Sequence, residues 1–171
     1  MREQGGAVME AKPVELPGGR VLPAWIDYNG HMNVAYYVMA FDLALDRFFE
    51  DMGIGPSFVR SAGHGPYALQ TQLHYLAELR EGESFRFRLM LLDCDHKRVH
   101  CFMEMLNDRT GAVAATMEQV SVNVDLSARR SAPYPDWAQA RLAALRDAHA
   151  ALPRPPQVGA PLGLGHRRLD K

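Results

Sequence analysis

The sequence predicts an α+β protein in which one antiparallel sheet wraps around one long apolar helix. Residues 34–52 contain no glycine or proline, and their apolar residues recur at the helical period. Four later segments alternate apolar and polar residues, as strands with one buried face do. Short turns between these segments favour antiparallel neighbours, and a helix this apolar must be covered by the sheet.

Size and composition indicate a single globular domain. The chain has 171 residues, 47% of them apolar and 23% charged, with a formal net charge of −1. This charge gives no general attraction to nucleic acid or to an anionic membrane. No apolar run reaches the roughly 18 residues of a membrane span. Cys94 and Cys101 are too few for a disulfide framework and fit a reducing compartment, so we expect a cytoplasmic protein.

The N-terminal part predicts a short strand followed by the long helix. Residues 20–26 fit the strand. Asn33 is a natural N-cap, and Gly53 stands where a C-terminal cap glycine belongs. A helix over residues 34–52 is about 28 Å long, since each residue adds about 1.5 Å. The four glycines of residues 53–65 predict a loop with one helical turn.

The second half predicts an antiparallel meander and a C-terminal helix. The expected strands cover residues 67–79, 84–92, 99–105 and 113–124. In the last of them the apolar phase shifts near Glu118, which predicts a bulge or a crossing between two burial environments. Residues 135–152 predict the second helix, and the Gly- and Pro-rich residues 153–171 predict a mobile tail.

The residues just before the long helix combine turn chemistry with proton-transfer chemistry. Asp27 lies four positions ahead of His31, with Gly30 between them and Asn33 at the helix start. Asn and Gly favour turns and caps, whereas Asp and His transfer protons or orient water. The first N–H groups of a helix also stabilise a developing oxyanion, and a glycine lets a main-chain N–H approach a ligand. An isolated Asp beside Asn-Gly can also be only a turn residue.

This motif and the predicted fold resemble the hotdog-fold acyl-CoA thioesterases of the 4-hydroxybenzoyl-CoA thioesterase type. The pattern D-x-x-G-H-x-N-x-x-x-Y is carried by Asp27, Gly30, His31, Asn33 and Tyr37. The resemblance implies that the Asp carboxylate attacks the thioester carbonyl or activates the water that does. It also implies a homodimer or a dimer of dimers, because hotdog sheets join edge to edge and share active sites.

A narrower resemblance is to the betainyl-CoA thioesterases of carnitine breakdown, including the thioesterase part fused to some carnitine dehydrogenases. It spans most of residues 20–156, and its matching stretches are residues 25–32, 93–100, 115–119 and 148–156. Val34 departs from the wider family, which commonly has a second asparagine there. The expected thioesterase domain covers residues 13–152, and its expected substrate is a short or medium acyl-CoA.

The other candidate site residues each have a structural alternative. His31 is expected to orient Asp27 or the substrate carbonyl, or else to lock the turn. Asn33 is either an N-cap or a substrate contact, and Tyr37 is either core or a substrate contact. Glu118 is expected to face the cleft and position water, or else to be an exposed strand residue.

Aromatic residues crowd the motif, and their side chains suit one particular kind of acyl group. They are Trp25, Tyr28, Tyr36 and Tyr37. Aromatic faces attract a quaternary ammonium. We therefore predict a small, aromatic-lined acyl pocket that accepts a group such as betainyl, although Trp25 and Tyr37 also fit the core.

The sequence predicts neither a metal site nor a cofactor. Its histidines match no tight zinc spacing, and the two cysteines are not paired as C-x-x-C. Two basic groups are candidates for contacts with the phosphates of coenzyme A: Arg86, Arg88, Lys97 and Arg98, and the tail residues His166, Arg167 and Arg168.

Two further functions stay open at this level. An acyl-CoA hydratase or dehydratase of the same fold has the signature D-x-N-P-x-H, with Asp and His five apart. Here Asp27 and His31 are four apart, and Gly30 stands at the proline position. A non-catalytic module that binds acyl-CoA is the other alternative, and the intact Asp27 argues against it.

Overall fold

The computed structural model describes residues 11–164 and confirms the α+β class. Its strands are β1 (Val14–Arg20), β2 (His64–Tyr75), β3 (Ser84–Cys94), β4 (Arg98–Asn107), β5 (Val113–Asp125) and the short β6 (Arg130–Ser131). Its helices are α1 (Val34–Asp51), α2 (Pro56–Ala62) and α3 (Asp136–His149). None of these described helices is both long enough and apolar enough to cross a membrane. The basic tail residues His166, Arg167 and Arg168 lie outside the described residues.

Helix α1 has the boundaries that the sequence predicts. The Asn33 side chain accepts the N–H of Ala35 at 3.0 Å, and Gly53 follows the last turn with a φ of +82°. One face of the helix is buried in the core, and the rings of Phe41 and Phe87 lie 5.3 Å apart between α1 and β3. Burying one such side chain stabilises the fold by about 1.5–3 kcal/mol. This packing is why the sheet curls around α1.

The order of the strands corrects the predicted meander. The sheet runs β1-β3-β4-β5-β2, so β3, β4 and β5 form a meander, whereas β2 pairs with β5. The segment between β2 and β3, residues 76–83, is therefore a crossing and not a hairpin. Leu79 at its centre is fully buried, and its carbonyl accepts the N–H of Met32 at 2.8 Å. The crossing thereby passes directly beside the residues that precede α1.

The first strand was predicted at the wrong place. It covers Val14–Arg20, whereas residues 20–26 lead into a 3₁₀ turn at Pro23–Trp25. Pro23 has no N–H for a strand ladder and favours the first turn of a helix, which explains the difference.

In the first half of β2, the buried face is the opposite of the one that the apolar–polar alternation predicts. Tyr67 and Leu69 are exposed, because a bulge between Ala68 and Gln70 moves the following residues to the opposite face. The bulge lies in β2, opposite the point where the apolar phase of β5 shifts. Beyond Met117 the α1-facing positions of β5 are polar, which is the predicted change of burial environment: Gln119, Ser121 and Asn123.

The first part of the predicted mobile tail packs on the outer face of the sheet, the face opposite α1. Val158 of the tail, together with Leu152 just before it, contacts a small apolar cluster there, formed by Met90, Leu92 and Phe102. The N–H of Gly159 donates to the Glu118 carboxylate at 2.7 Å. This part of the chain is therefore fixed by apolar contacts and by a charge-assisted hydrogen bond.

His149, at the end of α3, links that helix to the sheet. Its ring is buried, and its Nδ1 accepts the main-chain N–H of Leu91 at 2.9 Å. The ring also donates to the main chain of Lys12. Burial lowers the pKa of His149, and the bond from Leu91 exists only while Nδ1 is unprotonated.

We expect the stability of the protein to fall in mild acid because of His149. The folded-state pKa lies below the ordinary value of 6.5, so the unfolded chain binds more protons as the pH drops through that value. The free energy of unfolding, measured in urea between pH 8 and pH 5, should therefore decrease toward acid. His149→Gln offers an acceptor and a donor that do not titrate, so this variant should flatten the slope. His96→Gln, at an exposed ring, is the control, and equal slopes in all three proteins would contradict the assignment.

Candidate active site

Asp27 lies on a tight turn between the 3₁₀ turn and α1. Its N–H donates to the carbonyl of His31 at 3.1 Å, and its carbonyl accepts the N–H of Gly30 at 3.0 Å. Ile26 and Met32 pair across the base of the turn. Gly30 has a φ of +80°, which residues with a Cβ rarely adopt. Its N–H closes this turn, although the sequence suggested that it would face a ligand.

Two neighbouring groups hold the Asp27 carboxylate in place. The N–H of Asn29 donates to Oδ1 at 2.8 Å, and the side-chain amide of Asn33 donates to Oδ2 at 3.2 Å. Asn33 is at the same time the N-cap of α1. A carboxylate has about four lone-pair sites, so these two bonds fix its orientation and leave acceptor capacity for water or substrate.

The His31 ring is held separately from the carboxylate. Its Nδ1 lies 3.2 Å from the carbonyl of Met32, which can only accept, so Nδ1 carries a proton. In the neutral ring the lone pair is then on Nε2. Of the roles expected for His31, orienting Asp27 belongs instead to Asn29 and Asn33.

A small cavity adjoins this turn. It has a volume of about 250 Å³, below the roughly 300–1,000 Å³ of pockets for drug-sized ligands. It lies between the start of α1, the end of β2 and the crossing that follows β2. The residues that line it are His31, Met32, Val34, Tyr37, Tyr75, Leu76, Ala77 and Glu78.

Tyr37 and Tyr75 form one corner of the cavity. The Tyr37 hydroxyl accepts the N–H of Leu79 at 3.0 Å, and burial raises the pKa of this phenol. The two rings lie 5.4 Å apart at 80°. Sequence reasoning missed Tyr75, which resembled any other apolar position of a strand. Only the crossing after β2 brings that strand end to the helix start.

The other aromatic candidates lie apart from this corner. Trp25 stacks on Tyr36, with ring centroids 5.2 Å apart at an angle of 11°. Tyr28 is 96% exposed on the turn. Of the four aromatic residues that the sequence grouped together, only Tyr37 lines the cavity beside His31.

The structure does not bring Glu118 to Asp27. Met117 packs in the core with α1, so the next residue of β5 points to the outer face of the sheet. There the Glu118 carboxylate accepts from His100 Nε2 at 2.8 Å, and it also binds the tail. It lines a different cavity, of about 460 Å³, between the sheet and residues 159–162.

The basic residues suggested for the phosphates of coenzyme A have partners on the outer face. Each arginine forms an ion pair: Arg86 with Asp108 at 2.7 Å, Arg88 with Glu104 at 2.8 Å and Arg98 with Asp95 at 2.6 Å. Lys97 donates to the Ser131 hydroxyl at 3.2 Å. Over residues 11–164, no three His, Cys, Asp or Glu side chains converge as metal ligands.

A curled antiparallel sheet wrapped around one long helix is the arrangement of the hotdog fold. A model of the thioesterase-like superfamily matches residues 21–142. The chain therefore belongs to the thioesterase-like superfamily, and it is a thioester hydrolase.

Two proteins that are similar in sequence to this chain are also named as thioesterases. A betainyl-CoA thioesterase of Pseudomonas aeruginosa is 38% identical over 144 residues, which cover 84% of this chain and 91% of that protein. An L-carnitine dehydrogenase/betainyl-CoA thioesterase of Rhizobium meliloti is 33% identical over 165 residues, covering 94% of this chain and 33% of that protein. The chain thus spans nearly all of the first relative and a third of the fused one.

Solved structures confirm the fold. A hypothetical protein of Staphylococcus aureus in complex with CoA superposes with a TM-score of 0.82 at 24% identity, over 90% of this chain and 98% of that chain. A putative thioesterase of Pseudomonas putida KT2440 gives a TM-score of 0.77 at 26% identity, over the same shares.

The two roles of Asn33 can be separated by substitution. Asn33→Asp keeps an N-cap acceptor but removes the amide that donates to Asp27, so we expect a folded protein with a clearly lower kcat. Asn33→Ala removes both bonds, and the lost cap should cost about 0.5–2 kcal/mol of stability. Thermal unfolding and steady-state kinetics measure the two effects. If Asn33→Asp were fully active, the amide would have no part in positioning Asp27.

Proposed function

We propose that the protein hydrolyses a short acyl-CoA, preferably betainyl-CoA, to the free acid and coenzyme A. The observation that carries the proposal is the fixed Asp27 carboxylate on a turn that adjoins a small cavity at the start of α1. The names of the relatives support the betainyl group, and the cavity volume favours a short acyl chain over a long one.

Two routes to hydrolysis are open to the Asp27 carboxylate, and both depend mainly on its position. As a general base it takes a proton from a water whose oxygen attacks the thioester carbonyl. As a nucleophile it forms an acyl anhydride, which water then hydrolyses. In either route the carbon–sulfur bond breaks, and coenzyme A leaves as a thiolate that takes up a proton.

The start of α1 supplies the charge stabilisation that both routes need. The N–H of Ala35 is used by the Asn33 cap, and that of Tyr36 donates to the Asn33 carbonyl. Val34 is the first helical residue and lines the cavity, so its N–H is the best-placed donor for the oxyanion. Its position adds the positive end of the helix dipole. His31 lines the same cavity, and its Nε2 can bind water or the substrate.

Asp27→Asn tests the proposal. This change keeps the shape of the side chain and removes its charge, so kcat for acyl-CoA hydrolysis should fall about 10²–10⁴-fold with little loss of stability. Thiol release from a panel of acyl-CoAs measures it, with Asp42→Asn on the exposed side of α1 as the control. Near-normal hydrolysis by a folded Asp27→Asn protein would remove Asp27 from the mechanism. Single turnover in ¹⁸O-water tests the nucleophilic route, because water that opens the anhydride at the Asp27 carbonyl leaves its label on Asp27, whereas general-base catalysis never labels this side chain.

We also propose that the protein is a homodimer whose subunits meet along α1 and β2. Apolar residues of α1 are exposed in the single chain: Val34, Val38, Met39 and Leu43. Strand β2 is an edge of the sheet and exposes Tyr67 and Leu69. An open edge and an exposed apolar stripe are features that soluble proteins usually cover. The cavity lies between α1 and β2, so a second copy there would also close the active site.

Leu43→Glu tests this assembly. Leu43 is 60% exposed, so a charge there should not disturb the folded subunit but should break an apolar contact between subunits. Light scattering should give a dimer for the wild type and a species near 19.1 kDa for the variant, with reduced activity. Leu162→Glu, at an exposed tail residue, is the control. A fully active wild-type monomer would rule out the dimer.

Two free thiols support a location in a reducing compartment. Cys94 and Cys101 are both unpaired in the structure, and Cys101 is buried. Burial raises the pKa of each thiol and so keeps it in its less reactive form. We propose the cytoplasm as that location.

A further inference from the structure

Part of the cavity lining is aromatic. Tyr37 and Tyr75 stand nearly perpendicular, with ring centroids 5.4 Å apart, so they form two sides of a corner. Both rings line the cavity, and Tyr75 is 49% exposed whereas Tyr37 is 4% exposed, so Tyr75 offers most of the accessible aromatic surface. Two aromatic faces at a corner are a good site for a cation that is weakly hydrated.

The same lining contains a carboxylate. Glu78 lines the cavity three residues after Tyr75, in the crossing that follows β2. It forms an ion pair with Arg80, which donates to Oε1 from Nε at 2.7 Å and from a terminal nitrogen as well. Burial raises the pKa of the Tyr37 phenol, and the nearby Glu78 carboxylate raises it further. A carboxylate thus lies next to the aromatic corner, in the lining of the same cavity.

We infer that Tyr75, Tyr37 and Glu78 form a subsite for the quaternary ammonium group of the acyl chain, an inference that rests on the proposed thioesterase function. The tyrosines supply ring faces and Glu78 supplies charge. A neutral group of the same shape gains the apolar contacts but neither of these attractions.

The position of the subsite fits the length of a betainyl group. In betainyl-CoA the nitrogen is two bonds from the thioester carbonyl carbon, so a site for the cation must lie within a few ångströms of the reacting atoms. The same cavity is lined by His31 and Val34, which belong to the catalytic turn and to the start of α1. The aromatic corner and the proposed oxyanion donor, the Val34 N–H, therefore share one cavity of about 250 Å³, which adjoins the turn that carries Asp27.

The test is the ratio of kcat/KM for betainyl-CoA to that for 3,3-dimethylbutanoyl-CoA, in which carbon replaces the charged nitrogen. The wild type should favour the cation at least tenfold, which corresponds to about 1.4 kcal/mol. Tyr75→Leu should lower this ratio about tenfold, and Glu78→Gln should lower it severalfold. Tyr75→Phe keeps the ring and should keep the ratio. Trp137→Leu, at an exposed aromatic residue of α3 outside the cavity and the proposed subunit interface, and Glu81→Gln in the same crossing are the matched controls.

Direct binding of the tetramethylammonium ion gives a second readout that does not depend on catalysis. Saturation-transfer NMR on the wild type should detect the ion, and Tyr75→Leu should abolish the signal while Trp137→Leu keeps it. If the wild type prefers the cation but Tyr75→Leu does not change the ratio or the binding, the subsite is wrong and the thioesterase function stands. If acyl-CoAs are hydrolysed with a ratio near one, both the subsite and the betainyl preference fail. If no acyl-CoA is hydrolysed, the proposed function fails, and tetramethylammonium binding alone decides the subsite.

Discussion

Two main-chain hydrogen bonds of Leu79 tie the turn that carries Asp27, and the helix that follows it, to the crossing between β2 and β3. The carbonyl of Leu79 accepts from Met32, directly after the turn, and its N–H donates to the Tyr37 hydroxyl on the first turns of α1. The Leu79 side chain is fully buried, so the segment is held by apolar burial as well. A buried N–H without an acceptor would cost about 1–3 kcal/mol of stability. The Tyr37 hydroxyl therefore stabilises the fold by accepting the N–H of Leu79. The position of Asp27 relative to the cavity depends on this connection.

Asn33 couples the start of the helix to the geometry of the carboxylate. One amide group supplies the acceptor that caps α1 and the donor that holds Asp27. Because both bonds come from a single side chain, the N-terminal N–H groups of α1 and the carboxylate cannot move independently. In the proposed mechanism, this coupling holds the oxyanion donor and the base or nucleophile in a fixed relation, which electrostatic catalysis needs.

The two faces of the sheet contact different parts of the protein. The inner face packs on α1, and its edge near β2 and the crossing forms the cavity. The outer face carries ion pairs and the packed first part of the tail, which Glu118 and His100 help to hold. Charged side chains that the sequence offered as substrate contacts therefore contribute to this outer surface. A shift of one position along a strand is enough to move a side chain from the face that packs on α1 to the outer face.

The sequence by itself determined α1, its caps and the turn before it, because helical periodicity, capping and tight turns depend on residues that are close along the chain. Asn33 and Gly53 mark the ends of that helix in the sequence and in the structure alike. Only the tertiary structure decided that β2 pairs with β5 and that Tyr75 reaches the start of α1. It also decided that Glu118 faces outward. These features follow from pairing between distant strands and from the bulge in β2. The alternation of apolar and polar residues identifies a strand, but it does not show which strand pairs with it. It also does not show where one extra residue reverses the buried and exposed faces.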